Sequence, residues 1–208
     1  MRRTPPLVSG LHLMAWGRRG SPFTSRRNWN RRMKLTDHSV ADSPDPVRDA
    51  AIASLLDACF GGVHGGRTFF KQVPHRRLLA WSQGGLVGHV GMDLRAMRIG
   101  ESTIHILGIV DLCVAPTARR QGIGAALLQA AEERAEGQSF ALSMADDPRL
   151  YLRAGYSRIH AVDVTFLAID ELRCHSVVRR DLSEIFMAKR LAGGAWPDGP
   201  IDLLGHLF

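Results

Sequence analysis

The segment Val114-Ala115-Pro116-Thr117-Ala118-Arg119-Arg120-Gln121-Gly122-Ile123-Gly124-Ala125-Ala126-Leu127-Leu128 carries the residues best suited to chemistry. It reads as a strand turning through a basic loop into a helix. The first N–H groups of a helix have no internal acceptor and sit at the positive end of its macrodipole, so the loop is an anion site. Gly122 and Gly124 leave room for an anion to approach the backbone, and Arg119 and Arg120 add charge. A diphosphate fits such a loop. A dinucleotide fingerprint would need a third glycine where Leu127 stands, and a Walker A loop would need Gly-Lys-Ser/Thr where Gly124-Ala125-Ala126 stands. Neither nicotinamide nor ATP is favoured.

Other reactive residues have bland readings beside the sharp ones. Cys113 could accept an acyl group, but no base is placed for it, and a strand cysteine commonly fills apolar space. His89 and His105 lie on strands, where they either line an acceptor cleft or sit in the core or at an edge. Gly61-Gly62-Val63-His64-Gly65-Gly66 could cradle a phosphate, yet no Lys-Ser/Thr follows, and a flexible connector is the simpler reading. No ligand cluster for a metal is found. Cys59, Cys113 and Cys174 are odd in number and far apart, which excludes a disulfide framework and a CxxC site and points to a reducing cytoplasm.

The elements that must position these groups follow from periodicity. A polar linker after Met33 runs to Ser43-Pro44-Asp45-Pro46, which opens a helix carrying Val47, Ala51, Leu55 and Ala58 at helical spacing. Leu78 to Ser82, Leu86 to Arg98 and Thr103 to Val114 form an antiparallel meander punctuated by Gln83-Gly84-Gly85 and Ile99-Gly100-Glu101. An amphipathic helix spans Gly122 to Gly137, with Ile123, Leu127 and Ala130 on one stripe. A strand from Ser139 to Ala145 follows. Asp147-Pro148 and Gly155 bracket a short helix from Arg149 to Ala154. Further strands lie around Ile159 to Ile169 and Ser183 to Lys189. The tail from Arg190 to Phe208 ends in Ile201, Leu203, Leu204, Leu207 and Phe208, apolar enough that it packs back on the domain.

Composition bounds the rest. The 208 residues are 45% apolar and 23% charged, a globular make-up expected to form one α/β domain over residues 33–208. No stretch approaches the roughly 18 to 20 apolar residues of a membrane span, so a soluble protein is expected. The net charge of +7 is concentrated in residues 1–32, which hold eight arginines and no acid; the remainder has 19 basic and 20 acidic residues, net −1. This disordered leader reads as a transit peptide, a nucleic-acid arm, or upstream sequence ahead of a start at Met33. Without it nothing points to nucleic acid.

The strand-loop-helix, the following strand and Leu150-Tyr151-Leu152-Arg153-Ala154-Gly155-Tyr156 together resemble the GCN5-related N-acetyltransferases. In that family an Arg/Gln-x-x-Gly-x-Gly/Ala loop binds the coenzyme A diphosphate, and Arg119-Arg120-Gln121-Gly122-Ile123-Gly124 matches it. The resemblance spans about Val47 to Arg190. Gly88-His89-Val90-Gly91 and the meander's loop lengths look similar to the aminoglycoside 2'-N-acetyltransferases and nodulation N-acyltransferases.

The resemblance implies a mostly antiparallel sheet splayed between its fourth and fifth strands and flanked by helices, with acetyl-CoA in the gap as co-substrate. Arg119, Arg120, Gln121, Gly122, Ile123, Gly124 and Ala125 would hold the diphosphate, and the backbone of Leu112, Cys113 and Val114 would pair with the pantetheine amides. Tyr151 matches the tyrosine that meets the coenzyme sulfur. A phenol of pKa near 10 protonating a thiolate of pKa near 8.5 is uphill by roughly 2 kcal/mol, so Tyr151 either has a lowered pKa or stabilises the thiolate by hydrogen bonding. Asp111 is the expected base, with a water chain as the alternative. The family often has a carboxylate four residues before the position of Val114, whereas Asp111 is three before it. Strand alternation turns Asp111 to the wrong face unless a β-bulge intervenes.

The activity implied is transfer of an acetyl group to a primary amine of a small molecule, with Asp93, Asp111 and Asp146 complementing a cationic acceptor such as an aminoglycoside or polyamine. A protein or peptide amine, an acyl-carrier-protein donor, and a non-catalytic acyl-CoA sensor remain alternatives, and a homodimer is left open.

Overall fold

A computed structural model describes residues 33–170 and 172–208. Residues 1–32, which carry the arginine-rich leader, lie outside the described residues.

β1 (Lys34–Ser39) pairs antiparallel with β2 (Arg76–Ser82), and between them runs α1 (Pro46–Phe60). Asp45 starts α1 by accepting the N–H groups of Val47 and Arg48, each at 3.0 Å, with Pro46 preset for the first turn. Its Ile52, Leu55 and Leu56 are buried with Leu79 and Cys113 of the sheet. β2, β3 (Gly85–Ile99) and β4 (Ser102–Val114) form the expected meander. α2 (Ile123–Glu132) buries Ile123, Leu127 and Leu128 on the sheet. Gly88 of β3 allows that approach: a Cβ there would lie 2.9 Å from Leu127 Cδ1 and 3.0 Å from Ile123 Cγ2.

β5 (Phe140–Met144), α3 (Arg149–Arg153), β6 (Ser157–Arg158), β7 (Val164–Asp170), β8 (Arg173–Arg180), β9 (Phe186–Arg190) and β10 (Ile201–His206) complete the chain. The sheet order is β6-β9-β5-β4-β3-β10-β7-β8, with β2 and then β1 branching from β3. Every pairing is antiparallel except β4 with β5 and β10 with β7. This is the mixed, mostly antiparallel α/β sheet flanked by helices that the sequence predicts.

Several elements differ from the expectations, among them the strand expected around Ile159 to Ile169, which begins at Val164, and the one expected from Ser183, which begins at Phe186. The polar linker after Met33 contains β1, which pairs through its backbone and shows almost no apolar alternation. β8 escapes notice for a similar reason: as an edge strand it has only Val178 shielded from solvent and no buried residue. α2 ends at Glu132 rather than near Gly137, where Arg134 turns back to donate to the Ala130 carbonyl at 2.7 Å and to Asp37 at 2.5 Å. The tail does more than lie on the surface, since β10 enters the sheet between β3 and β7.

Among the described residues no helix is long and apolar enough to cross a membrane.

Candidate functional site

β4 and β5 pair at only three positions, Ile106 with Phe140, Leu107 with Ala141 and Gly108 with Leu142. Beyond Gly108 both strands continue unpaired with each other, β4 to Val114 and β5 to Met144. The sheet therefore opens into a gap with a bare backbone edge on β4. β4 leads through a 3₁₀ turn (Pro116–Ala118) to Arg119, Arg120, Gln121 and Gly122, all exposed, and into α2. Gly122 takes a left-handed φ of 82° at the start of α2, and among the described residues no side chain caps its first N–H groups. A Cβ built on Gly122 would meet no protein atom within 4 Å, so the helix start faces open space. Ile123 is buried, which leaves its N–H rather than its side chain for a ligand, and Gly124 and Ala125 are half-buried behind it. Arg119 turns back, its Nε donating to the Val114 carbonyl at 3.1 Å, so Arg120 is the freer cation. That contact uses one of the backbone groups expected to face pantetheine.

The open part of β4 is bulged. His89 pairs with Cys113 but Gly91 pairs with Val110, so β4 holds one more residue than β3 across this interval. Asp111 sits in it with φ 48°, a left-handed conformation uncommon outside glycine. The extra residue changes the parity of the strand: Leu107 and Ile109 pack beneath α2 before it, and Leu112 and Val114 after it. Gly91 accommodates the distortion, because a Cβ there would lie 2.5 Å from Val110 Cγ2. The bulge's carbonyl is not orphaned. His89 Nδ1 donates to Asp111 O at 2.9 Å, which leaves Nε2 to face Arg77 Nη1 at 3.4 Å. Burial, reinforced by the Arg77 charge, pushes the His89 imidazole down to about 4, so this histidine is neutral and structural.

Asp111 lines a cleft of about 370 Å³ that also exposes Tyr151, Asp93, Asp146, Lys71 and His64. Tyr151 enters from α3, packed edge-on against Tyr156 with ring centroids 5.3 Å apart. Burial raises its phenol above the ordinary value, opposed by a hydrogen bond to Ser143. Tyr151 is thus a protonated donor and does not have the lowered pKa entertained from sequence. Asp93 is paired with His75 at 2.7 Å and Arg95 at 3.4 Å. Lys71, its pKa lowered by burial, donates to the Leu207 carbonyl at 2.9 Å and ties the end of the tail across the cleft. Phe208 lies beneath the Arg95 guanidinium, 5.3 Å from its ring centroid.

The sequence reading missed His64. Gly61, Gly62, Gly65 and Gly66 all adopt positive φ, and Gly66 N–H donates to Asp57 Oδ2 at 2.8 Å. The stretch read as a flexible connector is a hydrogen-bonded turn that drives His64 inward to 2% exposure. Its Nε2 lies 3.4 Å from Asp111 Oδ1, an ion-pair distance without hydrogen-bond alignment, and among the described residues neither ring nitrogen has a hydrogen-bond partner. Leaving such a buried group unpaired costs about 1–3 kcal/mol. The only signal in sequence was a lone histidine bracketed by glycine pairs.

Of the other candidates, His89 is core and His105 is exposed, and neither lines the cleft. Cys113 is buried against Cys59, whose pKa is lowered to about 6 by a hydrogen bond from Cys113 and, beyond that, by Arg119, while the Cys113 thiol is raised. Among the described residues, no group of three or more His, Cys, Asp or Glu is placed to hold a metal ion.

Comparison with known proteins gives this geometry a context. The Acetyltransferase (GNAT) domain family matches residues 49–159, more than half of the chain. A GNAT family N-acetyltransferase from Escherichia coli, crystallised with CoA, superposes with a TM-score of 0.53 at 18% identity, covering 83% of this chain and 89% of that one. A GCN5-related N-acetyltransferase from Anabaena variabilis superposes with a TM-score of 0.52 at 17% identity over 68% of this chain and 40% of that longer one. No curated protein matches the chain in sequence. At these identities the solved structures share a fold, while the family match over 49–159, which contains β4, the arginine-glycine loop, α2 and α3, makes the chain a member of the GNAT acetyltransferases.

Proposed function

We propose that the protein is an acetyl-CoA-dependent N-acetyltransferase acting on a primary amine of a small molecule, in a reducing cytoplasm. The observation that carries this reading is the gap between β4 and β5, which runs from an uncapped helix start at Gly122 to a cleft lined by both Tyr151 and Asp111. Bound acetyl-CoA supplies the thioester carbon that the amine attacks. The N–H groups at the start of α2, with Arg119, Arg120 and Gln121, bind the diphosphate. The backbone of Leu112, Cys113 and Val114 extends the sheet to the pantetheine arm, a role that for Val114 requires Arg119 to share or release its carbonyl.

Tyr151, kept protonated by burial, donates a hydrogen bond to the sulfur as it leaves. An acceptor amine of pKa near 10 must also lose a proton, which costs about 4 kcal/mol at neutral pH unless the site assists. In this reading Asp111 or a water chain takes it. Asp93, Asp111 and Asp146 line the cleft, and its one lysine is committed to Leu207, which supports a small cationic acceptor. The likeness of Gly88–Gly91 to the aminoglycoside 2'-N-acetyltransferases agrees with that class. Such a cleft has the volume of a small-molecule site.

The test is free-thiol release by the full chain from acetyl-CoA, against a panel of a polyamine, an aminoglycoside, an arylalkylamine and a lysine peptide. Release with one of the first three supports the reading, whereas preference for the peptide reassigns the acceptor. Calorimetry showing no affinity for acetyl-CoA, or affinity only for a carrier-bound thioester, would overturn the donor.

A further inference from the structure

The protein buries two histidines beside Asp111, and they are partnered in opposite ways. His89, on β3, has both nitrogens engaged, Nδ1 by the Asp111 carbonyl at 2.9 Å and Nε2 by Arg77 at 3.4 Å. His64, at 2% exposure, has neither hydrogen-bonded among the described residues and reaches the cleft that His89 does not. Its imidazole is held by ring packing instead, with Phe60 at 5.2 Å and Phe70 at 5.7 Å between centroids. Aromatic packing orients a ring without consuming its nitrogens. The Asp111 carboxylate lies 3.4 Å from Nε2, where it would offset positive charge arriving on the ring.

We propose that His64, with Asp111 beside it, is the group that takes the proton from the acceptor ammonium. This rests on the N-acetyltransferase reading above and moves the proton there given to Asp111 onto the neighbouring imidazole, leaving Asp111 to hold the charged ring. An ammonium docks between Asp111 and His64, and one N–H bond breaks as its proton passes to the imidazole. The freed nitrogen pair forms the bond to the thioester carbon and the carbon–sulfur bond breaks. A second proton from that nitrogen goes to the departing sulfur, and His64 returns its own to solvent. The balance is ammonium plus acetyl thioester to amide, thiol and one proton. Asp111 faces the ring directly, while Lys71 and Arg77 bring positive charge near Asp111 and His89 stands behind it.

The experiment compares wild type with His64→Asn and His64→Gln, using the amine the panel identifies and the full chain. Both variants should keep the affinity for acetyl-CoA within about twofold, because neither touches the diphosphate loop. At pH 7 kcat/KM should fall about 100-fold, the scale of a lost proton-transfer group, and the deficit should shrink as pH approaches the amine's own pKa. A merely structural histidine gives a deficit independent of pH. The wild type offers a check that needs no variant: an enzyme base makes kcat/KM level off while the amine is still wholly protonated, whereas without one it climbs tenfold per pH unit up to the amine pKa. A variant within threefold of wild type, a deficit equal at pH 7 and 9.5, or a wild-type profile that never levels below the amine pKa overturns the assignment of His64. Absence of wild-type turnover on every amine overturns instead the reading beneath it.

Discussion

The two ends of β4 are built from one strand and behave as different structures. From Ser102 to Gly108 it is paired with β3 and, over its last three residues, with β5; from Ile109 to Val114 it keeps β3, leaves β5, and takes in the extra residue Asp111. Regular pairing at the first end satisfies the backbone within the sheet. At the other end the freed edge, the bulge and the onward turn to α2 leave the β4 backbone without a strand neighbour on the β5 side. The difference teaches that one inserted residue and a lost neighbour suffice to turn a fully paired strand into one with a bare backbone edge.

If this division holds, the bulged end should be the acid-sensitive one. His89 caps the Asp111 carbonyl and stays neutral until about pH 4, whereas an unfolded histidine protonates near 6.5. Between those values the unfolded chain binds the extra proton, so stability falls as pH falls, by about 3 kcal/mol from pH 7 to 4. Urea unfolding at several pH values measures it, and His89→Gln should remove that slope whatever it does at pH 7. Hydrogen exchange in acid should quicken around Asp111–Cys113 before Ile106–Gly108; the reverse order breaks the comparison.

Tyr151→Phe should lower kcat about 100-fold, as expected for a lost proton or hydrogen-bond donor, with melting temperature and acetyl-CoA affinity nearly unchanged. At the regular end the balance inverts. A Cβ at Gly100, in the β3–β4 turn with φ 54°, would lie 2.6 Å from the Asp198 carbonyl oxygen. Gly100→Ala should therefore cost about 2 kcal/mol in denaturant titration while the folded fraction keeps its kcat. The smallest effect is expected at Gly122→Val, about tenfold weaker acetyl-CoA binding by calorimetry, from local strain and a blocked helix start. Because a Cβ there meets no protein atom, unchanged affinity would mean the diphosphate lies elsewhere.

The strand-loop-helix proposed to hold the donor was legible in sequence because it is local: Arg119 to Gly124 form one contiguous turn between β4 and α2. The short helix that carries Tyr151 was legible for the same reason, with Asp147-Pro148 before it and Gly155 beyond it. The cleft is assembled from distant segments, His64 from a glycine turn, Asp93 from β3, Asp111 from a bulge and Leu207 from the tail, and no periodicity links them. The offset of Asp111 signalled that a bulge was needed, but its pairing register is a property of two strands and is visible only in three dimensions. β1 and β8 were hidden because backbone pairing, rather than an apolar face, holds them.

β10 adds a temporal dimension. Ile201 pairs with Ile99, about a hundred positions earlier in the chain, and Leu207 receives the Lys71 ammonium. Synthesis runs from the amino end, so the meander, α2 and the diphosphate loop can all be in place on the ribosome while the slot between β3 and β7 waits for its strand. Closing so long a loop is slow, and the cleft lined by Asp111 and Tyr151 acquires its last wall only when that strand arrives.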